Sequence, residues 1–391
     1  MAEPPLKGIR VIELARILAG PWAGQLLADL GADVIKVESP DGGDDTRKWG
    51  PPFVMSHDGE NLSAAYYHSC NRGKRSIAID FSKPEGADTL RRLITTADVL
   101  IENFKLGGLK KYGLDYESLK KTNPRLVYCS ITGFGQDGPY APRAGYDFII
   151  QAMAGMMSIT GEAGREPQKA GVAISDLFTG LYSVIAIQAA LRHAEKTGEG
   201  QHIDMALYDS QISALGNQNL NYLVSGKSPV QMGNAHMNIA PYEVLPVKDG
   251  HIILAVGNDG QFGKFCAVVG LTDLPANPDF ATNPARVANR ARLRELIIEV
   301  LSTWERDPLL AKLEAAGVPA SPINTIGQMF ADPQTIARGM RLDLDDGHGN
   351  LLPSVRAPMV MSGTPLVYER PSPRLGEHTA EILAELERSA K

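Results

Sequence analysis

The first 135 residues switch repeatedly between two hydrophobic periods, and that alternation limits the possible folds more than any other feature of the chain. Gly8–Leu14 (GIRVIEL) is an apolar run of strand length. Pro21 then holds a first-turn helical position, and Trp22, Leu26, Leu27 and Leu30 recur at helical spacing. Gly31 ends this helix and Ala32–Val37 begins the next strand. Arg75–Phe81, Asp98–Glu102 and Leu126–Ile131 read as further strands, and Ser82-Lys-Pro-Glu85 has the pattern of a capping box opening a helix through Leu93. Strands separated by helices pair in parallel, because a crossover must cover one face of the sheet. The fold class expected is therefore α/β.

Two long helices follow, at about Asp176–Glu195 and Met205–Val224, and Ser225-Gly-Lys-Ser-Pro229 has linker composition. Beyond it, Tyr242–Val247 and His251–Val256 form a strand pair around Lys248-Asp-Gly250, with helices near Gly260–Val269 and Asn289–Ser302. The tail from Ile326 is short elements divided by prolines. This predicts a large α/β domain from 1–200 and 326–391, a linker helix at 201–229, and a smaller α/β domain at 230–325 with its connecting linker.

A net charge of −6, with basic residues scattered along the chain, gives no footprint for nucleic acid or an anionic membrane. Three well-separated cysteines (Cys70, Cys129 and Cys266) make no disulfide framework, and eight histidines without HxxxH or HExxH spacing predict no metal. No signal-peptide pattern opens the chain, and no stretch approaches the ~18 uninterrupted apolar residues of a membrane span. A cytoplasmic location is expected.

Gly133-Phe-Gly135-Gln-Asp-Gly138 matches a dinucleotide-binding spacing, but Pro139 and Pro142 deny the helix that should aim its N–H groups at a pyrophosphate. No GxxxxGK[ST] and no GxSxG is present. Arg16-Ile-Leu-Ala-Gly-Pro21 and Glu102-Asn-Phe-Lys-Leu-Gly107 both follow strand ends, where open parallel sheets bind ligands; each reads equally as a surface turn. Gly233-Asn-Ala-His-Met-Asn238 is a glycine-started loop able to offer N–H groups to an oxyanion. Asp176 is the one carboxylate at the mouth of the apolar helix DLFTGLYSVIAIQAAL; in isolation it reads as an N-terminal cap.

In order along the chain, Leu18-Ala-Gly-Pro21, Leu30-Gly-Ala-Asp-Val-Ile-Lys-Val-Glu38, Asn71-Arg-Gly-Lys-Arg-Ser76, Glu102-Asn-Phe104, Gly145-Tyr-Asp147, Asp176 before its helix, Gly198-Glu-Gly-Gln201 and Leu375-Gly-Glu-His-Thr379 together resemble the class III (CaiB/BaiF) CoA-transferase family, that of formyl-CoA transferase and carnitine CoA-transferase. The resemblance implies a Rossmann-like large domain, a smaller domain, and an interlocked homodimer. It implies that Asp176 is a nucleophile, forming an aspartyl mixed anhydride and an aspartyl-CoA thioester, with its place at a helix start helping to keep it ionised. Gly233, Asn234, Ala235 and His236 align with the family's oxyanion and lid loop. CoA contacts are implied for Arg16, Leu18, Ala19, Ile79, Asp80, Phe81, Ser82, Asn103, Phe104, Lys105, Lys111, Tyr146 and Asp147. Ser39 and Lys111 stand where formyl-CoA transferase has arginines, leaving Arg47 or Lys105 as substitutes at the phosphates. Leu18 replaces its active-site glutamine, which argues against oxalate and formyl-CoA. The pattern is most similar to the succinate–hydroxymethylglutarate type, implying transfer of CoA from succinyl-CoA to a small carboxylic acid, with no cofactor beyond the CoA substrate. The competing reading, an α-methylacyl-CoA racemase, would need a histidine where Tyr146 stands and a glutamate near Asp259. A non-catalytic CoA-binding protein is the remote third.

Overall fold

A computed structural model describes residues 3–389, and the chain divides into two compact units. The first runs up to Met156, resumes over Ala170–Ser225 and includes the chain from Pro333. The second comprises Met157–Lys169 and Gly226–Asp332.

The first unit is built on six parallel strands: β1 (Arg10–Glu13), β2 (Asp33–Glu38), β3 (Arg75–Ala78), β4 (Val99–Glu102), β5 (Val127–Thr132) and β6 (His202–Ala206). Their spatial order is β3-β2-β1-β4-β5-β6, and every neighbouring pair is parallel. This is the doubly wound order, so chain direction across the sheet reverses between β1 and β4 and leaves a crevice at their carboxyl ends. Successive side chains alternate between two apolar layers. On one face Val11, Val99 and Cys129 pack against α1 (Ala19–Asp29), through Ala23 and Leu27, and against the long helix Ile174–Thr197, through Val184 and Ile187. On the other, Ile12, Ile35 and Leu100 meet α2 (Pro84–Thr95), through Leu90 and Ile94, and Ile382 of the C-terminal helix Thr379–Ser389.

Several local expectations needed correction. The predicted linker helix over 201–229 begins instead as the edge strand β6, because His202–Ala206 finds a parallel partner in β5; helices Leu207–Ala214 and Asn217–Ser225 follow. The Ser82–Glu85 capping box does not form. Ser82 turns its hydroxyl to Asp80 Oδ1 at 2.5 Å, and α2 starts uncapped at Pro84. Residues 157–169 and 326–332 belong to the second unit rather than to the large domain. The helix Ile174–Thr197 has a mean hydropathy of 1.5 over an 18-residue window, enough by length and composition to cross a membrane although it packs on the sheet.

The second unit has a three-stranded antiparallel sheet, Ala320–Ser321, Gly250–Ala255 and Tyr242–Val247 in that order, with a core closed by Phe262, Phe265, Leu293, Ile297, Leu309 and Leu313. Arg286, fully buried, ties it together by donating to Ala240 O (2.7 Å), Phe280 O (2.9 Å) and Asp259 Oδ1 (2.7 Å).

Under the crevice of the first unit lies a buried cluster of charges. Glu13 and Lys36 stand opposite each other in the β1–β2 register, both at zero exposure. Lys36 Nζ donates to Glu13 Oε1 (3.1 Å), Ala15 O (2.9 Å) and Asp44 Oδ2 (2.9 Å), while Lys74 Nζ reaches Glu13 Oε2 (2.8 Å), Asn71 Oδ1 (2.8 Å) and Pro21 O (2.8 Å). Next to it, Glu38 accepts from Arg47 Nε (2.9 Å), Arg47 Nη2 (2.7 Å) and Ser76 Oγ (2.7 Å). Burial works against the charge on Asp44, yet the Lys36 ammonium and the Thr46 N–H hold it down to about 2. Removing one partner of such a group strands the others without water. Lys36→Met should therefore lower unfolding free energy by about 3–5 kcal/mol, measured by urea denaturation of the native and variant proteins.

Candidate functional site

The crevice between β1 and β4 opens into a cleft of about 630 Å³ in the first unit. Its floor is the segment after β1. Ile17 has φ +74°, a left-handed conformation costly for a β-branched residue, so its surroundings must hold it there. Asp44, anchored on Lys36, accepts the Ile17 N–H with both oxygens at 3.3 Å. Asn103, just past β4, accepts from Arg16 N (2.9 Å) and donates to Arg16 O (2.7 Å). The two carboxyl-end loops are thereby pinned to each other, and Leu18 and Ala19 are presented at the uncapped start of α1. Glu102 fixes the second loop by accepting from Phe104 N at 2.7 Å; burial pushes its carboxyl up to about 7, against the pull of Ser130 and that N–H. Phe81, Phe104 and Tyr112 form an edge-to-face aromatic group on the same side.

The opposite wall comes from the Gly133–Asp147 segment. The dinucleotide-like glycines have another use here: a Cβ on Gly133 would lie 2.5 Å from Gly145 Cα, so the two backbones meet only because neither carries a side chain. That contact sets where Tyr146 and Asp147 begin the next helix, α3 (Asp147–Met153).

Asp176 lies in the first turn of α4 (Ile174–Thr197). Gly180 lets this helix approach the start of α1: a Cβ there would meet Ala19 O at 2.8 Å and Trp22 at 3.0 Å. Asp176 is not the cap. Asp147 Oδ1 accepts the N–H of Ser175 (2.8 Å) and of Asp176 (3.3 Å), and Asp147 Oδ2 accepts from Gln151 Nε2 (2.7 Å). A second brace joins the buried Ser175 hydroxyl to Gln211 Oε1 at 2.7 Å. The expectation that a helix start would keep Asp176 ionised also fails, since burial and the Asp147 charge push its carboxyl up to about 7. Only a reading of the tertiary contacts could reveal this, because Asp147 is 29 residues away in sequence.

Every residue assigned to CoA by resemblance lines this cleft together with Asp176: Arg16, Leu18, Ala19, Ile79, Asp80, Phe81, Ser82, Asn103, Phe104, Lys105, Lys111, Tyr146 and Asp147. Their side chains are not equally available. Asn103 and Asp147 are engaged with backbone N–H groups, and Asp80 with Ser82 and Lys83. Arg16 pairs with Asp45 at 3.0 Å. Lys105, Lys111 and Arg143 are exposed on the rim with no carboxylate partner among the described residues; Lys111 lies 4.7 Å from the Tyr112 ring centroid and Arg143 4.0 Å from that of Tyr140. Arg47, a proposed phosphate substitute, is buried on Glu38 and is not a free cation. Sequence reading missed Asp44 and Arg143. It also missed Tyr66, whose phenol burial and then the Asp176 charge push up to about 12. The pattern around these three carried no motif that would single them out.

This chain matches the family model described as CoA-transferase family III over residues 6–379. It belongs to that family. It is 64% identical over 385 residues to a succinate–glutarate CoA-transferase of Agrobacterium fabrum, covering 98% of this chain and 96% of that protein. It is 41% identical over 383 residues to a succinyl-CoA:glutarate CoA-transferase of Homo sapiens, covering 98% of this chain and 86% of that one. A crystal structure of a CaiB/BaiF family protein from Brucella suis is similar with a TM-score of 0.88 and 61% identity, covering 99% of this chain and 100% of that chain. As a family III CoA-transferase the chain takes acyl-CoA and carboxylic acid substrates, and the doubly wound sheet is the fold its relatives lead one to expect. Among the described residues no group of three or more His, Cys, Asp or Glu could hold a metal ion.

In the second unit, the glycine-started loop is held at both ends, with Gly233 N donating to Gly161 O at 2.9 Å. Gly233 and Asn234 are exposed, whereas His236 N donates to Tyr242 O (2.9 Å) and Arg290 donates to His236 O and Met237 O (both 2.9 Å). Ala235 lies between them, its N–H on Met232 O at 3.2 Å. Asp259, where a racemase glutamate was weighed, is paired with the buried Arg286.

The raised Asp176 carboxyl has a consequence for stability. Its folded pKa of about 7 lies above the 3.8 of an ordinary aspartate, so charging it opposes folding increasingly between about pH 4 and 7 and fully above that. Asp176→Asn should therefore raise the midpoint of thermal unfolding at pH 8 and leave it nearly unchanged at pH 4, read by differential scanning calorimetry.

Proposed function

We propose that this family III CoA-transferase moves CoA from succinyl-CoA to a small dicarboxylic acid, with Asp176 as the covalent relay. The observation that carries this reading is a carboxyl lining the cleft with no hydrogen-bond donor assigned to it among the described residues, at the start of a helix whose N–H groups are already taken. A carboxylate whose pKa is raised towards neutrality is a better nucleophile than an ordinary aspartate, and at pH 7 about half of it is still ionised. Its Oδ attacks the thioester carbonyl carbon; the tetrahedral adduct collapses, the C–S bond breaks, and CoA leaves as thiolate, giving an aspartyl–acyl anhydride. The thiolate then attacks the aspartyl carbonyl and expels the donor acid as carboxylate, leaving an aspartyl-CoA thioester. The acceptor carboxylate repeats both steps in reverse order. The unpaired cations Lys105 and Lys111 suit the phosphates of CoA, and the aromatic group of Phe81, Phe104 and Tyr112 suits its adenine. The dicarboxylate preference is supported by relatives named for succinate and glutarate, mesaconate and citramalate.

Oxyanion stabilisation is assigned within the loop Gly233–His236 to the N–H of the exposed Asn234, since Gly233, Ala235 and His236 already donate theirs to Gly161 O, Met232 O and Tyr242 O. A homodimer completes the proposal. Leu181, Ile185, Leu220, Leu223 and Val224 of the first unit are exposed at 44–84%, apolar side chains that a partner chain would cover.

Asp176→Ala should abolish exchange of label between succinate and succinyl-CoA, and hydroxylamine added to the native enzyme with succinyl-CoA should modify Asp176, detected by peptide mass spectrometry. Native-rate exchange by the variant would remove Asp176 from the mechanism. For native enzyme, kcat/KM for succinyl-CoA should rise with pH through an apparent pKa near 7, because only the carboxylate attacks. Analytical ultracentrifugation at micromolar concentration should give twice the chain mass; a single-chain mass would rule out the dimer.

A further inference from the structure

We infer that Asp147 is a positioning residue for Asp176 rather than a ligand of CoA: it supplies from a distance the cap that α4 lacks locally, and so keeps the Asp176 carboxylate out of hydrogen bonds and turned to the cleft. This rests on Asp176 being the nucleophile. Residue 173, at the N-cap of α4, is alanine and makes no side-chain cap bond. A helix start with free N–H groups would draw in the nearest carboxylate, and Asp176, in the first turn, is the candidate. Asp147 Oδ1 occupies those groups instead, at 2.8 Å from Ser175 N and 3.3 Å from Asp176 N. The placement is overdetermined. Gln151 Nε2 holds Asp147 Oδ2 at 2.7 Å, Gln151 Oε1 accepts from Ala170 N at 2.9 Å, and Gly145 packs backbone to backbone on Gly133 two residues earlier. Asp147 also stands in the first turn of its own helix, where a negative charge is favourable.

Asp147 on α3 acts on Asp176, and the Asp176 charge in turn acts on the Tyr66 phenol of the short helix Ala65–His68. Of the two, Asp147 is the anion, and its charge favours the protonated form of Asp176 while its hydrogen bonds fix the backbone that carries it. One residue thus sets the direction of the nucleophile and adds to the basicity that burial gives it.

The test compares Asp147→Asn and Asp147→Ala with native enzyme. Asparagine keeps an acceptor for the Ser175 N–H and removes the charge, so the acid limb of kcat/KM for succinyl-CoA should move down by about one pH unit. Alanine removes the acceptor too, and kcat should fall on the order of a hundredfold. Both variants should bind desulfo-CoA, followed by calorimetry, with native affinity. An unchanged pH profile in Asp147→Asn overturns the inference, as does a tenfold or greater loss of desulfo-CoA affinity with kcat intact. Should Asp147→Ala fail to fold, the isosteric Asn variant still decides between these outcomes. Failure of the underlying reading would look different, as active Asp176→Ala or absence of hydroxylamine modification at Asp176 in native enzyme.

Discussion

Lys36 is the interaction on which the cleft depends. It is a fully buried ammonium at the carboxyl end of β2, held between Glu13 of the neighbouring strand and Asp44 of the following loop. Asp44 keeps its charge in that buried position because Lys36 stands beside it, while Glu13 is shared between Lys36 and Lys74. Through Asp44 the charge reaches Ile17 N–H and stabilises a backbone conformation that isoleucine rarely adopts. A chain of ion pairs under the sheet thus fixes the loop that the ligand meets. Glutamates end three adjacent strands for related reasons: Glu13 holds two lysines, Glu38 holds Arg47, and Glu102 holds the Phe104 N–H.

The reactive end of the site follows the opposite rule. Beneath the floor, opposite charges neutralise one another and lock the backbone. At Asp176 no cation among the described residues acts on the carboxyl, and the charge that does is another carboxylate. A salt bridge there would lower the basicity of the carboxylate and occupy its oxygens. Stability and reactivity are therefore separated in space, with the paired charges under the cleft and the unpaired one facing it.

Much of this was legible in the sequence. The alternation of strand-length and helix-length apolar runs carried the α/β class, because each strand needs its crossover helix to bury a face. The ordered segments from Leu18-Ala-Gly-Pro21 to Leu375-Gly-Glu-His-Thr379 carried the family. What could not be read was the use of individual side chains. Asn103 looked like a ligand group and is a clamp on Arg16; Arg47 looked like a phosphate contact and is a buried partner of Glu38. His202–Ala206 looked helical because its strand partner, Val127–Thr132, lies some 70 residues earlier, beyond the reach of local periodicity.

By itself, then, the sequence determined the order of the first five strands of the parallel sheet and which polar residues lie at their ends, since periodicity and turn chemistry act over a few neighbours. The tertiary structure alone decided the state of Asp176. Its helix cap comes from Asp147, and its basicity comes from burial and that same charge. Hydrogen bonding and electrostatic repulsion depend on separation in space, and the fold sets that separation by closing Gly133 onto Gly145 and α4 onto α1.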